Sequence, residues 1–231
     1  GLGDVYKRQQ KILNIDNGDE RLKELEQKLS EANANCKEVA GRLTATRRKA
    51  ATTVERGMKD RLVPLGIPKV RFSISIEPRE FQRDGCDAVA FLFSANSSSD
   101  MMPISQVASG GEIARVMLSL KAMISNAVKL PTIIFDEIDT GVSGKIAEKM
   151  ALIMQEMAQS ERQVISITHL PQIAARGTTH YKVYKEETEN GTESTMTRLN
   201  DEQRVNEIAQ MLSGSDITDA AKHNAKDLLG A

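Results

Sequence analysis

Tryptophan is absent from the 231 residues and aromatic side chains make up only 3%, so any core must be built from aliphatic residues and the ten methionines. There are only two cysteines, Cys36 and Cys86, far apart and with no C-x-x-C or Cys/His spacing. That excludes a disulfide framework or a zinc site and fits a reducing compartment. No apolar run approaches the ~18 residues of a membrane span, and the N-terminus lacks the charged-then-apolar order of a signal peptide. The reading is therefore cytoplasmic, with no membrane partner. Neither sign of charge dominates, the formal net charge being −1. Overall charge thus argues neither for nor against nucleic acid; its distribution decides. An initiator methionine is also missing, which suggests a fragment, and Gly1–Gln9 shows no clear periodicity and is set aside as a non-native leader.

The chain is organised around Thr132-Ile133-Ile134-Phe135-Asp136-Glu137. A short unbroken run of strand-forming residues without alternation reads as a strand buried on both faces of a parallel sheet. Its carboxyl end delivers Asp136 and Glu137, and in open α/β sheets ligands bind outside the carboxyl ends of the strands. An Asp placed there can hold Mg²⁺ in a nucleotide hydrolase, and an adjacent carboxylate can take a proton from water. Alone, the stretch equally describes a strand ending in acidic loop residues.

Upstream, Leu22, Leu25, Leu29, Ala32, Cys36, Val39 and Leu43 follow a strict 3-4 spacing, a coiled-coil seam that Ile15 extends backwards by one heptad. After Leu43 the spacing relaxes to fours at Ala50, Val54, Met58 and Leu62, as in a helix leaving a supercoil to dock on a globular body. No second helix follows to return alongside it, so its partner must come from elsewhere. The same helix carries a basic stripe from Arg42 to Arg61 that includes Arg47, Arg48 and Lys49. Such a stripe could follow a phosphate backbone; it could equally be a solvated face. Pro64, Gly66 and Pro68 end the helix. The organisation expected is a leader over 1–9, a coiled-coil arm over 10–63 and a globular lobe over 64–231.

Within the lobe, Lys69–Glu77 alternates cleanly, Pro78–Gly85 carries turn residues, and Asp87–Ala95 is rich in Val and Phe, so a hairpin is expected. A polar loop over Asn96–Asp100 leads to Gln106-Val107-Ala108-Ser109-Gly110-Gly111-Glu112. This stretch opens a helix whose apolar pattern is Ile113, Met117, Leu120, Ile124 and Ala127. Ser109 is a good N-cap, the glycine pair lets backbone N–H groups approach an anion, and a helix N-terminus favours phosphate. Taken alone, the same residues make an ordinary capped helix start. Beyond the acidic strand, Ser143–Ser160 reads as a helix with Ile146, Met150, Ile153, Met154 and Met157 inward. Gln163–Thr168 reads as a buried strand that brings His169 to the same sheet edge as Asp136. An Asn190-Gly191 turn between Tyr181–Lys185 and Ser194–Leu199 signals a hairpin, and Asp201–Leu212 and Asp216–Leu229 read as terminal helices.

The order Ser109-Gly110-Gly111-Glu112, then Thr132–Glu137, then Thr168-His169-Leu170-Pro171-Gln172-Ile173-Ala174 resembles the signature, Walker B and histidine motifs of ABC-type ATPases of the SMC-like branch. Val107-Ala108 before the signature and Asp139-Thr140-Gly141-Val142-Ser143-Gly144 after Walker B are most similar to the bacterial RecN family of DNA double-strand-break repair proteins. Ala108 and Thr140-Gly141 depart from both the transporter and the SMC patterns. A P-loop, G-x-x-x-x-G-K-[ST], does not occur: the only Gly-Lys pair is Gly144-Lys145, with Asp139 six residues before the lysine and Ile146 after it. The resemblance therefore implies the C-terminal half of such a head. The expected fold is α/β, mostly parallel sheet with flanking helices and β-hairpins, preceded by a long coiled-coil helix.

That resemblance carries further implications. ATP and Mg²⁺ would be used at a composite site, with Asp136 holding the metal through water, Glu137 polarising the attacking water and His169 contacting the γ-phosphate. Ser109, Gly110, Gly111 and Glu112 would belong to the cap over ATP bound by a partner head, and Asp139 would lie at the dimer interface. The partners implied are the N-terminal half with its P-loop, a second copy in an ATP-sandwiched homodimer, and DNA in the bacterial nucleoid. The chain alone would be inactive. Two other classes stand beside this one. One is a coiled-coil scaffold with a degenerate head, or the Walker-A-less half of another SMC-family chromosome protein; the other is a transporter subunit, disfavoured by the coiled-coil arm.

Overall fold

The computed structural model describes the backbone of residues 2–230 except 108, 126–127, 129, 160–161, 189–190 and 215, and their side chains except those of 2, 13–17 and 188. The chain divides into two compact units, 1–52 with 75–90, and 53–74 with 91–231. One helix, α1 (Leu2–Leu62), contributes to both. It begins well before the boundary expected at residue 10, so the stretch set aside as a leader continues the helix.

In the first unit the 3-4 seam is present and bare: Leu22, Leu25, Leu29 and Val39 are all exposed, Leu29 at 63%. Ile15, proposed to extend it, lies outside the described side chains. The polar flank is laced by Glu24, which accepts from Arg21 and Lys28 at 2.6 Å each. Such i,i+3 and i,i+4 pairs add a few tenths of a kcal/mol apiece. They do not replace a packing partner for so long a helix.

The hairpin is formed by β1 (Arg71–Gln82) and β2 (Gly85–Ser94), in a sheet of order β1-β2-β3 with β3 (Met102–Pro103). The expected turn over Pro78–Gly85 shrinks to Arg83-Asp84 because β1 continues through Pro78. As an edge strand, β1 tolerates a residue without an N–H. Within the first unit the hairpin tip is latched to α1 by Asp87, whose carboxylate accepts from the Thr44 hydroxyl at 2.8 Å and from Arg47 Nη1 at 2.9 Å. Arg47 Nη2 also donates to the Asp84 carbonyl at 2.7 Å. The Arg47 and Thr44 hydrogen bonds hold the Asp87 carboxyl below the usual carboxylate range.

The second unit has three cores. Met58, Leu62, Ile67, Val70, Phe93 and Val116 form one, between the end of α1, the sheet and α2 (Gly110–Ser125). On its rim Glu55 accepts from the Ile74 N–H at 2.7 Å and from the Ser73 hydroxyl at 3.2 Å. The strand's polar face is therefore half-buried instead of solvated. The main core lies between β4 (Thr132–Asp136), β5 (Gln163–Ile167) and α3 (Gly144–Ala158), where Ile133, Phe135, Met150, Met154 and Met157 interdigitate. It is aliphatic and methionine-rich, as the composition required. The third joins Ala175, Ile208, Ala209, Ala221 and Ala225 around α5 (Asp201–Ser213) and α6 (Asp219–Leu229). α5 starts in a capping box between Asn200 and Gln203.

β4 and β5 pair in parallel, as expected, in the register Thr132↔Gln163 to Asp136↔Ile167, and the hairpins form too. Two readings of exposure change. β4 is buried on one face only: Ile133 and Phe135 point into the core, while Ile134 is 58% exposed and Ile165 and Ile167 of β5 are exposed too. On α2 the buried face is Val116, Leu118, Ser119, Ala122 and Ser125, while Met117 and Ile124 of the expected apolar pattern are exposed; Ala127 lies outside the described residues. The last hairpin forms as read, β6 (Tyr181–Thr188) pairing antiparallel with β7 (Gly191–Arg198), although Asn190 lies outside the described residues.

Candidate active site

All parts of the candidate site belong to the second unit. Asp136 closes β4 with its side chain exposed. Glu137 follows in the left-handed region at φ 46°, the one described non-glycine residue there. Its N–H donates to the Ile167 carbonyl at 3.1 Å, carrying the β4–β5 ladder one residue past the strand before the chain turns. Its own carbonyl accepts from the Thr140 hydroxyl at 2.9 Å. Among functional residues such backbone outliers recur because the surroundings hold them in place.

Two residues beyond the β5 carbonyl that anchors Glu137 stands His169, 63% exposed. Thr168 sits between them; its hydroxyl accepts from the Leu170 N–H at 3.0 Å and donates to Asp139 Oδ2. Asp139 is 1% exposed, with its Oδ1 3.6 Å from His169 Nδ1. The Asp139 carboxylate faces its own chain, and Thr140 and Gly141 are the exposed part of that loop.

The glycine-rich helix start meets this loop. A Cβ on Gly111 would stand 3.1 Å from the Thr140 carbonyl oxygen and 3.6 Å from that of Gly141, so only glycine fits the contact without displacing backbone. Ser109 and Gly110 are exposed beside it, and the Ser109 carbonyl accepts the first helical N–H, from Ile113, at 3.0 Å. Ala108 lies outside the described residues. Arg115, which the sequence did not single out, braces this turn: Nε donates to the Gly111 carbonyl and Nη1 to that of Leu65, both at 2.9 Å. Glu112 is half-buried in the same turn. The structure thus brings the signature-like helix start, the paired acids and the post-strand histidine onto neighbouring loops.

Among the described residues no three His, Cys, Asp or Glu side chains converge. Mg²⁺ does not need such a cluster, since it keeps several waters and binds through one or two carboxylates together with substrate phosphates. Exposed Asp136 suits that mode.

No family model matches the chain. Among curated proteins it is similar to the DNA repair protein RecN of Halalkalibacterium halodurans, 36% identical over 91% of this chain and 38% of that protein. The RecN of Vibrio cholerae is 33% identical over 95% of this chain and 40% of its own length, and that of Rickettsia conorii 39% identical over 83% and 35%. This chain is a RecN-family segment. It spans well under half the length of these relatives and fits the C-terminal portion of a RecN protein. The Smc head domain with a coiled coil and joint from Pyrococcus yayanosii matches at a TM-score of 0.55 and 19% identity, over 73% of this chain and 30% of that one. A structure described as "Structural biochemistry of ATP-driven dimerization and DNA stimulated activation of SMC ATPases" matches at 0.51 and 18%, over 75% of this chain and 99% of that one. At such identities the likeness is one of fold, and the fold of this RecN-family segment is that of an SMC head.

In the first unit, Arg47, Arg48 and Lys49 part company. Arg47 is committed to Asp87 and is 25% exposed, whereas Arg48 and Lys49 are exposed on α1. No described helix is long and apolar enough to cross a membrane.

Proposed function

We propose that this segment is the water-activating and partner-capping part of an ATPase that acts in DNA double-strand-break repair and recombination. The observation that carries this reading is the convergence of Gly111, the Asp136–Gly141 loop and His169. In it, Asp136 would hold Mg²⁺, which would supply charge neutralisation at the phosphates. Glu137 accepts a proton from the attacking water. His169 contacts the γ-phosphate bound by a P-loop outside this chain. The N–H groups at Ser109–Gly111 cap the γ-phosphate of a second head, with the helix polarity that an anion favours. ATP then joins two heads and its hydrolysis parts them.

The uncovered apolar residues support the missing partners. Ile134, Ile165 and Ile167 line a strand face that water should not touch, and the N-terminal half of the same protein is its proposed cover. The bare seam of α1 calls for the outgoing arm of that half. The scaffolding alternative is not favoured: RecN relatives and an SMC head fold go with a working ATPase, and a degenerate clamp has no need of paired acids beside a post-strand histidine. The setting we propose is the bacterial cytoplasm, at the nucleoid.

The test is reconstitution. Purified alone, the chain should neither bind ATP tightly nor turn it over, for want of a phosphate cradle; mixed or co-expressed with an N-terminal RecN half, it should hydrolyse ATP. Robust turnover by the chain alone, or none from a well-folded complex, would overturn the reading.

DNA contact is proposed along the exposed cations of the arm, with Arg48 and Lys49 as its test residues. Arg47 is excluded from the test because its replacement would undo the latch to Asp87. Reversing both charges should weaken binding equally for all sequences and flatten the salt dependence, each lost phosphate contact removing about 0.9 from the slope of log K on log salt. An unchanged affinity and slope would make these residues ordinary surface.

A further inference from the structure

We propose that Asp139 is the positioning residue of His169: its buried carboxylate accepts from Nδ1–H and so fixes the imidazole tautomer, leaving Nε2 as the nitrogen presented to a ligand. The functional meaning rests on the reading of His169 given above; the geometry does not. Asp139 Oδ1 is buried and has no hydrogen-bond partner among the described residues. Its twin Oδ2 is satisfied by the Thr168 hydroxyl, which accepts from the Leu170 N–H and gives its single proton to Asp139. No second proton from Thr168 reaches Oδ1. The ring nitrogen facing it is His169 Nδ1, 3.6 Å away.

At that separation the contact is not yet a hydrogen bond, which needs a shift of about 0.7 Å to reach the usual N–H···O length. The ring itself is exposed. Catalytic hydrogen bonds are often long before the ligand arrives. A buried carboxylate oxygen facing a bare Nδ1 lone pair would be repelled, whereas one facing Nδ1–H is satisfied. Carboxylates behind functional histidines set tautomer and ring orientation in this way.

The strand register makes the pair possible. Asp136 pairs with Ile167 across the parallel ladder, so the residues three past the one and two past the other leave adjacent strand ends.

Only three histidines, His169, His180 and His223, occur in the chain. Long-range ¹H–¹⁵N imidazole correlations at about pH 8.5, two units above the ordinary histidine value, therefore read the tautomer of each, with H169Q assigning the signals. In the unsubstituted chain His169 should be in the Nδ1–H form, and in D139L it should revert to the Nε2–H form that a free imidazole favours. Where leucine disrupts the fold, D139N replaces a charged acceptor by a neutral one and should lower the Nδ1–H fraction. A predominantly Nε2–H His169 in the unsubstituted chain, or an Nδ1–H fraction that neither substitution changes, would overturn the assignment. The Nδ1–H signal together with full ATP turnover by an H169Q full-length protein would leave the assignment standing and remove His169 from catalysis.

Discussion

Glu137→Gln in a full-length RecN-family protein carrying this segment should lower ATP turnover by about 10²- to 10⁴-fold, the range expected when a general base is lost. ATP binding should persist and the ATP-bound dimer should accumulate, because glutamine keeps the shape and hydrogen-bonding reach of the side chain but cannot accept the proton. Steady-state hydrolysis with size-exclusion chromatography in ATP reads both effects. No neighbouring acid can substitute: Asp139 is buried and committed to Thr168, and Asp136 is assigned to the metal. Undiminished turnover would remove Glu137 from the water-activating role.

The second large effect separates two adjacent residues of β4. Phe135 is buried in the main core among Met150, Met154 and their neighbours, so Phe135→Ala should cost about 3–5 kcal/mol in urea or thermal unfolding of this chain. Ile134 points the other way, and Ile134→Lys should change the stability of the isolated chain by no more than about 0.5 kcal/mol. In the complete protein the ranking should collapse, because a lysine beneath an apposed N-terminal half would be a buried unpaired charge. An Ile134→Lys as mild in the complete protein as in the segment would leave that strand face without its proposed cover.

Much of this was legible from spacing. The 3-4 seam from Leu22 to Leu43, the strand ending in Asp136, the helix start at Ser109–Gly111 and the strand before His169 all form where residue patterns place them. The exposures did not follow from pattern. An unbroken apolar strand reads as doubly covered, but whether both covers are present depends on chain that the pattern does not see. Ile134 and the outward side of α2 are therefore apolar and bare at once. The β1 extension through Pro78 escaped notice because proline normally ends strands, and only the edge position of β1 permits it. The site's supports were also illegible. Arg115 and Thr168 act through backbone carbonyls and a buried carboxylate brought close by folding, and neither has a motif of its own. Arg47 looked like its basic neighbours until the hairpin tip claimed it.

The left-handed backbone of Glu137 sets folding against turnover at a single residue. Glycine would occupy that conformation with less steric penalty, so a search for hardier variants of this domain would be drawn to a replacement that extinguishes the chemistry assigned here. Stability screens run on the segment alone would reward it, and only an assay of the complete ATPase would reveal what had been lost.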